Sequence, residues 1–204
     1  MRDPANIQEI GAIHPDFMGF IFYPESPRCA LGIDPEVLKN IPPLIRKIGV
    51  FVNESFESIQ KTAARYQITT LQLHGQEPPE LCDQLEQEGF TVIKAFGIAG
   101  ENDLKRIKNY EKVCSYVLLD TKSGDKKVYG GSGISFDRNL LRYYDTELPF
   151  FLAGGISPDS TEEILAIRHP YFFALDLNSR FESAPGIKDA TLIKQFKETI
   201  IYSL

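Results

Sequence analysis

A chain of 204 residues carrying a formal charge of −6 is long enough for one domain with a sizeable core and too short for two ordinary ones. Its 43% hydrophobic and 25% charged residues are those of a soluble globular protein. No block of Lys or Arg offers the clustered basic face that nucleic acid or a membrane surface needs, so neither is an expected partner, although a local site could still hold an anionic small molecule. No apolar run is long enough to span a bilayer and no signal peptide opens the chain, which makes the cytoplasm the expected location. Cys29, Cys82 and Cys114 show no metal-ligand spacing, and an odd count argues against a disulfide framework.

The chain opens on a helix with no strand before it: Asp3 suits an N-cap, Pro4 the first helical position, and Ile7 and Ile10 begin an apolar stripe. Phe17 to Tyr23 then reads as a strand ending in a proline-bounded loop that carries Arg28. A short helix around Pro35 to Asn40 precedes a second strand from Lys47 to Asn53. With Asn53 or Ser55 as cap, Phe56, Ile59, Ala63 and Tyr66 fall on one helical face. Further strands are expected over Thr69 to Gly75, Thr91 to Phe96, Tyr116 to Thr121, Pro149 to Ile156 and Phe172 to Leu177. Each is followed by a helical pattern, including one near Asp137 to Tyr144 and a last one from Asp189 that buries Leu192, Ile193, Phe196 and Ile200. No linker or composition shift marks a second domain.

Apolar runs alternating with helices imply a parallel sheet, either open and doubly wound or closed into a barrel. The count is seven strands against eight helices, and the unmatched helix is the first. A single-domain (β/α)8 TIM barrel lacking its first β-strand accounts for that count, whereas an open sheet gives no reason for it.

In such a barrel the chemistry lies at the C-terminal rim, where the strand ends offer Arg28, Asn53, Gln72, His74, Lys94, Asp120, Gly154, Gly155, Asp176 and Ser179. Gly154-Gly155 beside Asn178-Ser179-Arg180 has the placing of a barrel phosphate site, and also of a merely tight turn. Arg28 could hold a carboxylate through its guanidinium fork, or be a solvated surface residue. His74 reads as an acid–base group or a hydrogen-bonded rim residue, and Lys94 as catalytic or as an ion-pair partner of Asp120. Cys114 precedes its strand and should face the opposite end of the barrel, while Cys29 and Cys82 read as packing or surface thiols.

With these residues assembled, the chain resembles the phosphoribosylanthranilate isomerases of tryptophan biosynthesis. The likeness is carried by Gly19-Phe20-Ile21-Phe22 with Ser26-Pro27-Arg28, Gly49-Val50-Phe51-Val52-Asn53, and Leu71-Gln72-Leu73-His74-Gly75. It continues through Leu119-Asp120-Thr121, Gly130-Gly131-Ser132-Gly133 with Phe136-Asp137, Leu152-Ala153-Gly154-Gly155-Ile156 and Pro185-Gly186-Ile187-Lys188-Asp189. The resemblance implies a cofactor-free Amadori rearrangement with Asp120 as general acid at the furanose ring oxygen. It implies that Arg28 holds the anthranilate carboxylate and that Gly131, Ser132 and Gly133 close over the sugar. The Gly154-Gly155 turn and the Ser179 segment would hold the phosphate, with Asp176 and Asn178 also binding substrate.

Two departures stand out. Asp176-Leu177-Asn178-Ser179-Arg180 replaces the family's usual Asp-Val-Ser-Ser-Gly, leaving the backbone donors in place. The family's general base, a cysteine ending the first strand in a Lys-(Ile/Val)-Cys-Gly segment, would lie upstream of Met1. The expectation is therefore a chain truncated before its catalytic-cysteine strand, impaired in turnover, with unpaired strand edges near Tyr23 and Leu177 open to self-association or rearrangement. The alternatives are a non-catalytic phosphate-ligand-binding barrel and a related sugar-phosphate isomerase such as that of the histidine pathway.

Overall fold

Seven apolar runs become seven parallel strands, hydrogen-bonded to one another in sequence order, in a computed structural model that describes residues 1–122 and 136–203. They are β1 (Phe17–Ile21), β2 (Arg46–Phe51), β3 (Thr70–Leu73), β4 (Thr91–Ile98), β5 (Tyr116–Thr121), β6 (Phe150–Leu152) and β7 (Phe172–Leu175). Between and around them run α1 (Pro4–Gly11), α2 (Pro35–Lys39), α3 (Phe56–Tyr66), α4 (Pro79–Gln87), α5 (Glu101–Lys105), α6 (Thr161–Leu165) and α7 (Ala190–Tyr202). The glycine-rich stretch with Gly131, Ser132 and Gly133 lies outside the described residues.

Local chemistry sets the element ends. The Asp3 carboxylate accepts from the Asn6 amide at 2.8 Å to start α1, and the Ser55 hydroxyl accepts from Ser58 at 3.2 Å to start α3. Asn53 is thus not the cap; it sits at a φ of 52° and its side-chain oxygen receives the Gln76 amide at 2.7 Å. The helix expected near Asp137 to Tyr144 is a 3-10 helix over Arg138–Tyr143, capped by Asp137. The helix after β4 likewise tightens from α5 into a 3-10 turn over Arg106–Tyr110.

Period-two alternation divides the side chains of the sheet into two sets. Ile48, Val50, Ile93, Ala95, Leu118, Phe151 and Ala153 form a compact cluster on the inner side of the curled sheet. Their neighbours Phe51, Leu71, Leu73, Val92, Phe96, Val117, Leu119, Phe150 and Leu152 meet the helices in the larger outer core. The curl brings the two terminal strands towards each other: the rings of Phe17 on β1 and Phe173 on β7 lie 6.1 Å apart in an edge-on contact. Beside β1, the Met1 nitrogen donates to the Gly19 carbonyl at 3.0 Å.

A short antiparallel hairpin absent from the sequence reading follows β7, formed by β8 (Glu182–Ala184) and β9 (Ile187–Lys188) with Gly186 at a φ of 84° in its turn. Asn6 of α1 holds this hairpin through both backbone groups of Lys188. Its amide nitrogen donates to the Lys188 carbonyl at 2.7 Å, and its oxygen accepts from the Lys188 amide at 2.7 Å.

Alternation also corrects the expectation for Lys94. Ile93 and Ala95 point inwards, so Lys94 points out, away from Asp120. Its ammonium pairs with Glu77 at 3.1 Å and donates to the carbonyls of Leu73, Gly75 and Ala95 at 2.9, 3.1 and 3.0 Å. Glu77 in turn accepts from the amides of Asn53 and Gly75 at 2.8 and 2.9 Å, so one buried pair ties together the ends of β2, β3 and β4. Both side chains are almost wholly buried, and removing one partner leaves the other charge without compensation. Glu77→Ala is expected to lower the unfolding free energy by about 3–5 kcal/mol in a urea titration. A loss of less than about 1 kcal/mol, the scale of a surface pair, would show that the network is not structural.

Candidate functional site

The same alternation that buries Leu118 places Asp120 two residues further along β5, on the inner side at the C-terminal rim. Gln72 and His74 reach that side from β3, and Ala174 and Asp176 from β7. These side chains line a cavity of about 700 Å³ together with Arg28, Gly154, Gly155, Asn178, Ser179 and Lys188. Of the expected site residues within the described chain, all converge there. Asn53 and Lys94 of the wider rim do not, and the exposed Arg180 is not part of the lining.

Asp120 is 7% exposed. Its Oδ1 accepts from the Thr121 amide at 2.8 Å, and its Oδ2 lies 3.4 Å from His74 Nε2. The other ring nitrogen, Nδ1, lies 2.8 Å from Gln72 Nε2. With the Gln72 amide donating to Nδ1, the proton of a neutral His74 is on Nε2, facing Asp120. His74 is thus a hydrogen-bonded rim residue that sets a ring nitrogen beside the acid.

Beside Asp120, at the end of the neighbouring β6, is the Gly154-Gly155 turn, with φ of 78° and 68°. A Cβ on Gly154 would stand 2.4 Å from Thr121 Oγ1 and 3.0 Å from Asp120 Oδ1, so this position admits only glycine. The turn is held from behind by Arg138, which donates from Nη2 to the Gly154 carbonyl at 2.7 Å and pairs through Nε with Glu163 at 3.3 Å. Among the described residues, Thr121 Oγ1 and Arg138 Nη1 are buried side-chain atoms with no hydrogen-bond partner. Next to the turn, Ser179 begins a 3-10 helix over Ser179–Phe181.

Arg28 is neither solvated nor alone. Its guanidinium pairs with Glu182, which reading the sequence did not single out. Glu182 also meets Lys188 at 3.1 Å, and Lys188 donates to the Leu177 carbonyl at 3.1 Å and to Asn178 Oδ1 at 2.9 Å. Desolvation works against ionising Glu182, yet the Arg28 hydrogen bonds and the Lys188 charge hold its carboxyl below the usual carboxylate range. Desolvation lowers the Lys188 ammonium despite Glu182 and Asp176 beside it. Lys188 lay in a motif segment of the sequence, but nothing local marked its side chain as facing the site.

The cysteines stand elsewhere. Cys82 and Cys114 are buried against each other, and the Cys82 contact with desolvation raises the Cys114 thiol far above its ordinary value, which keeps it protonated. None of the three cysteines lines the cavity. Among the described residues, no three of His, Cys, Asp or Glu converge as a metal site.

Asp176 is displaced by the same environment. Desolvation pushes its carboxyl pKa up, with the Lys188 charge opposing and Asp120 adding to the shift. Its folded pKa therefore exceeds its unfolded value of about 3.9, so its contribution to stability is full below that pH and is lost as pH rises through the folded value. Asp176→Asn is accordingly expected to stabilise the protein at pH 7 relative to the parent chain, with the gain shrinking as pH falls towards about 4. Urea unfolding at several pH values reads this directly, and a difference independent of pH would contradict it.

Comparisons with known proteins bear on this arrangement. Residues 1–199 match the family model described as N-(5'phosphoribosyl)anthranilate (PRA) isomerase. The chain is 42% identical over 206 residues to N-(5'-phosphoribosyl)anthranilate isomerase of Parabacteroides distasonis, an alignment covering 99% of this chain and 91% of that relative. Phosphoribosyl anthranilate isomerase from Thermus thermophilus superposes with a TM-score of 0.82 at 30% identity, covering 99% of this chain and 96% of that one. Another isomerase, solved in complex with reduced 1-(o-carboxyphenylamino)-1-deoxyribulose 5-phosphate, superposes with a TM-score of 0.78 at 32% identity over 99% of this chain and 95% of that one.

Proposed function

Because the chain belongs to the N-(5'-phosphoribosyl)anthranilate isomerase family, we propose that it converts N-(5-phosphoribosyl)anthranilate to 1-(2-carboxyphenylamino)-1-deoxyribulose 5-phosphate in tryptophan biosynthesis. The observation that carries this reading is one buried carboxylate, Asp120, that lines the same cavity as the Arg28 and Lys188 cations and lies beside a double-glycine turn. This set of groups matches a substrate that carries a carboxylate, a phosphate and a labile ring.

In this reading Asp120 protonates the furanose ring oxygen as the C1–O bond breaks, with His74 Nε2 beside it. The imine so formed acidifies the proton on C2; its removal gives an enol that tautomerises to the ketone. Arg28 receives the anthranilate carboxylate, and the backbone donors of Gly154, Gly155, Asn178 and Ser179 receive the phosphate. Asp176 faces the sugar from β7. Gly131, Ser132 and Gly133 keep their proposed place over the sugar.

Impaired turnover also remains a proposal. The alignments, which take in 99% of the chain, lend impairment no support; what supports it is chemical, since among the described residues no thiol lines the cavity to take the C2 proton. Self-association through β1 and β7, the terminal strands of the described sheet, belongs to the same proposal.

Asp120→Asn is expected to cut turnover of freshly prepared phosphoribosylanthranilate by about 10²–10⁴-fold, while leaving calorimetric binding of the reduced product analogue within a few-fold of the parent chain. Arg28→Ala should instead weaken that binding. Undiminished turnover by Asp120→Asn would remove the acid from this account.

A further inference from the structure

The contact between Arg28 and Glu182 has a directional geometry that a surface ion pair lacks. Arg28 Nε donates to both carboxylate oxygens, at 3.1 Å to Oε1 and 2.9 Å to Oε2, and Nη2 reaches Oε2 at 2.8 Å. Glu182 therefore holds the side edge of the guanidinium, formed by Nε and Nη2. Of the five N–H donors, one on Nη1 and the second on Nη2 remain at the end edge, where another carboxylate can bind in the same bidentate manner.

The two cations of this cluster line the cavity and the carboxylate between them does not. Glu182 stands behind, 4% exposed, and is itself over-determined: its Oε1 also receives Lys188 Nζ at 3.1 Å and the Gly186 amide at 3.3 Å. The hairpin supplies this arrangement, since Glu182 on β8 is the register partner of Lys188 on β9. Asn6 fixes the Lys188 backbone by two hydrogen bonds of 2.7 Å, so the brace behind Arg28 is anchored in α1 rather than in a free loop.

We propose that Glu182 is a positioning residue: by occupying the side edge of Arg28 it turns the end edge into the cavity to meet the aryl carboxylate of the substrate. Lys188 restores the positive balance that Glu182 takes away, leaving two cations against one carboxylate at that end of the site. The inference rests on the isomerase reading above and adds to it the residue that selects a carboxylated aromatic amine over one without the carboxylate.

Positioning and charge alone give opposite signs. Removing the negative charge of Glu182 makes this end of the cavity more positive, so a pure charge effect tightens anion binding. Loss of the brace frees the Arg28 side chain and weakens it. Glu182→Gln is therefore expected to bind the reduced product analogue about 10- to 100-fold more weakly by calorimetry, the scale of a misplaced charge-assisted pair. Binding of the matching analogue without the ring carboxylate should be unchanged. In an Arg28→Ala background the same substitution should cause no further weakening, since only the charge effect is left. Glu182→Asp keeps the charge but withdraws it by one methylene, and should give the same selective loss to a smaller degree, so the inference stays testable should the glutamine variant not fold. Equal weakening of both analogues, or tighter binding of the carboxylated one, would overturn the positioning role. Failure of the parent chain to bind either analogue would instead overturn the isomerase reading, and this inference with it.

Discussion

A parallel strand buried on both faces has no room for an uncompensated charge until it reaches the end of the sheet, and the candidate site follows from that constraint. The inner side of the curled sheet is filled by Ile48, Val50, Ile93, Ala95, Leu118, Phe151 and Ala153. One pleat beyond this plug, the inward positions become His74, Asp120 and Asp176. Members of the apolar layer, Ile48, Val50, Leu118, Phe151 and Ala153, line the cavity below the height at which the polar groups meet. Inward position thus decides chemistry: Asp120 and Lys94 both sit on neighbouring strands near the rim, yet one faces the cavity and the other is consumed by Glu77.

Much of this was legible in the residues. All seven strands were recoverable because parallel strands in a two-sided core read as runs of Val, Ile, Leu and Phe, and their order needed no long-range information. The carboxylate closing Tyr116-Val117-Leu118-Leu119-Asp120 and the double glycine after Ala153 were marked by abrupt changes within such runs. What stayed hidden depends on partners distant in sequence. Lys94 pairs with Glu77, and Arg28 with Glu182, a separation of 154 residues that no local pattern reports. The β8–β9 hairpin was missed since its strands are only three and two residues long, too short for a period to register. The tightening of the expected helix after residue 136 into a 3-10 turn was equally invisible, because the spacings that mark the two helix types overlap over six residues.

The two ends of the cavity are built by different physical means. At the Gly154 end the backbone itself approaches the site, in a conformation and at a distance from Asp120 that exclude any side chain. At the Arg28 end the site is made of long, flexible side chains, which would hold no fixed geometry without mutual contacts. There the chain spends several buried hydrogen bonds on Glu182 and Lys188 to hold one guanidinium. Rigid backbone suits a phosphate, which accepts donors from many directions; a planar carboxylate needs a planar fork set at one angle.

The central claim is that these two ends flank Asp120 across a single substrate. Its most direct test is a crystal structure of this chain with the reduced product analogue bound. The account places the ring carboxylate on the free Nη1 and Nη2 edge of Arg28 and the phosphate on the amides around Gly155 and Ser179, each within about 2.7–3.2 Å. The sugar oxygen derived from the ring should then face Asp120. An analogue bound in the reverse sense, or seated away from Asp120 altogether, would contradict it.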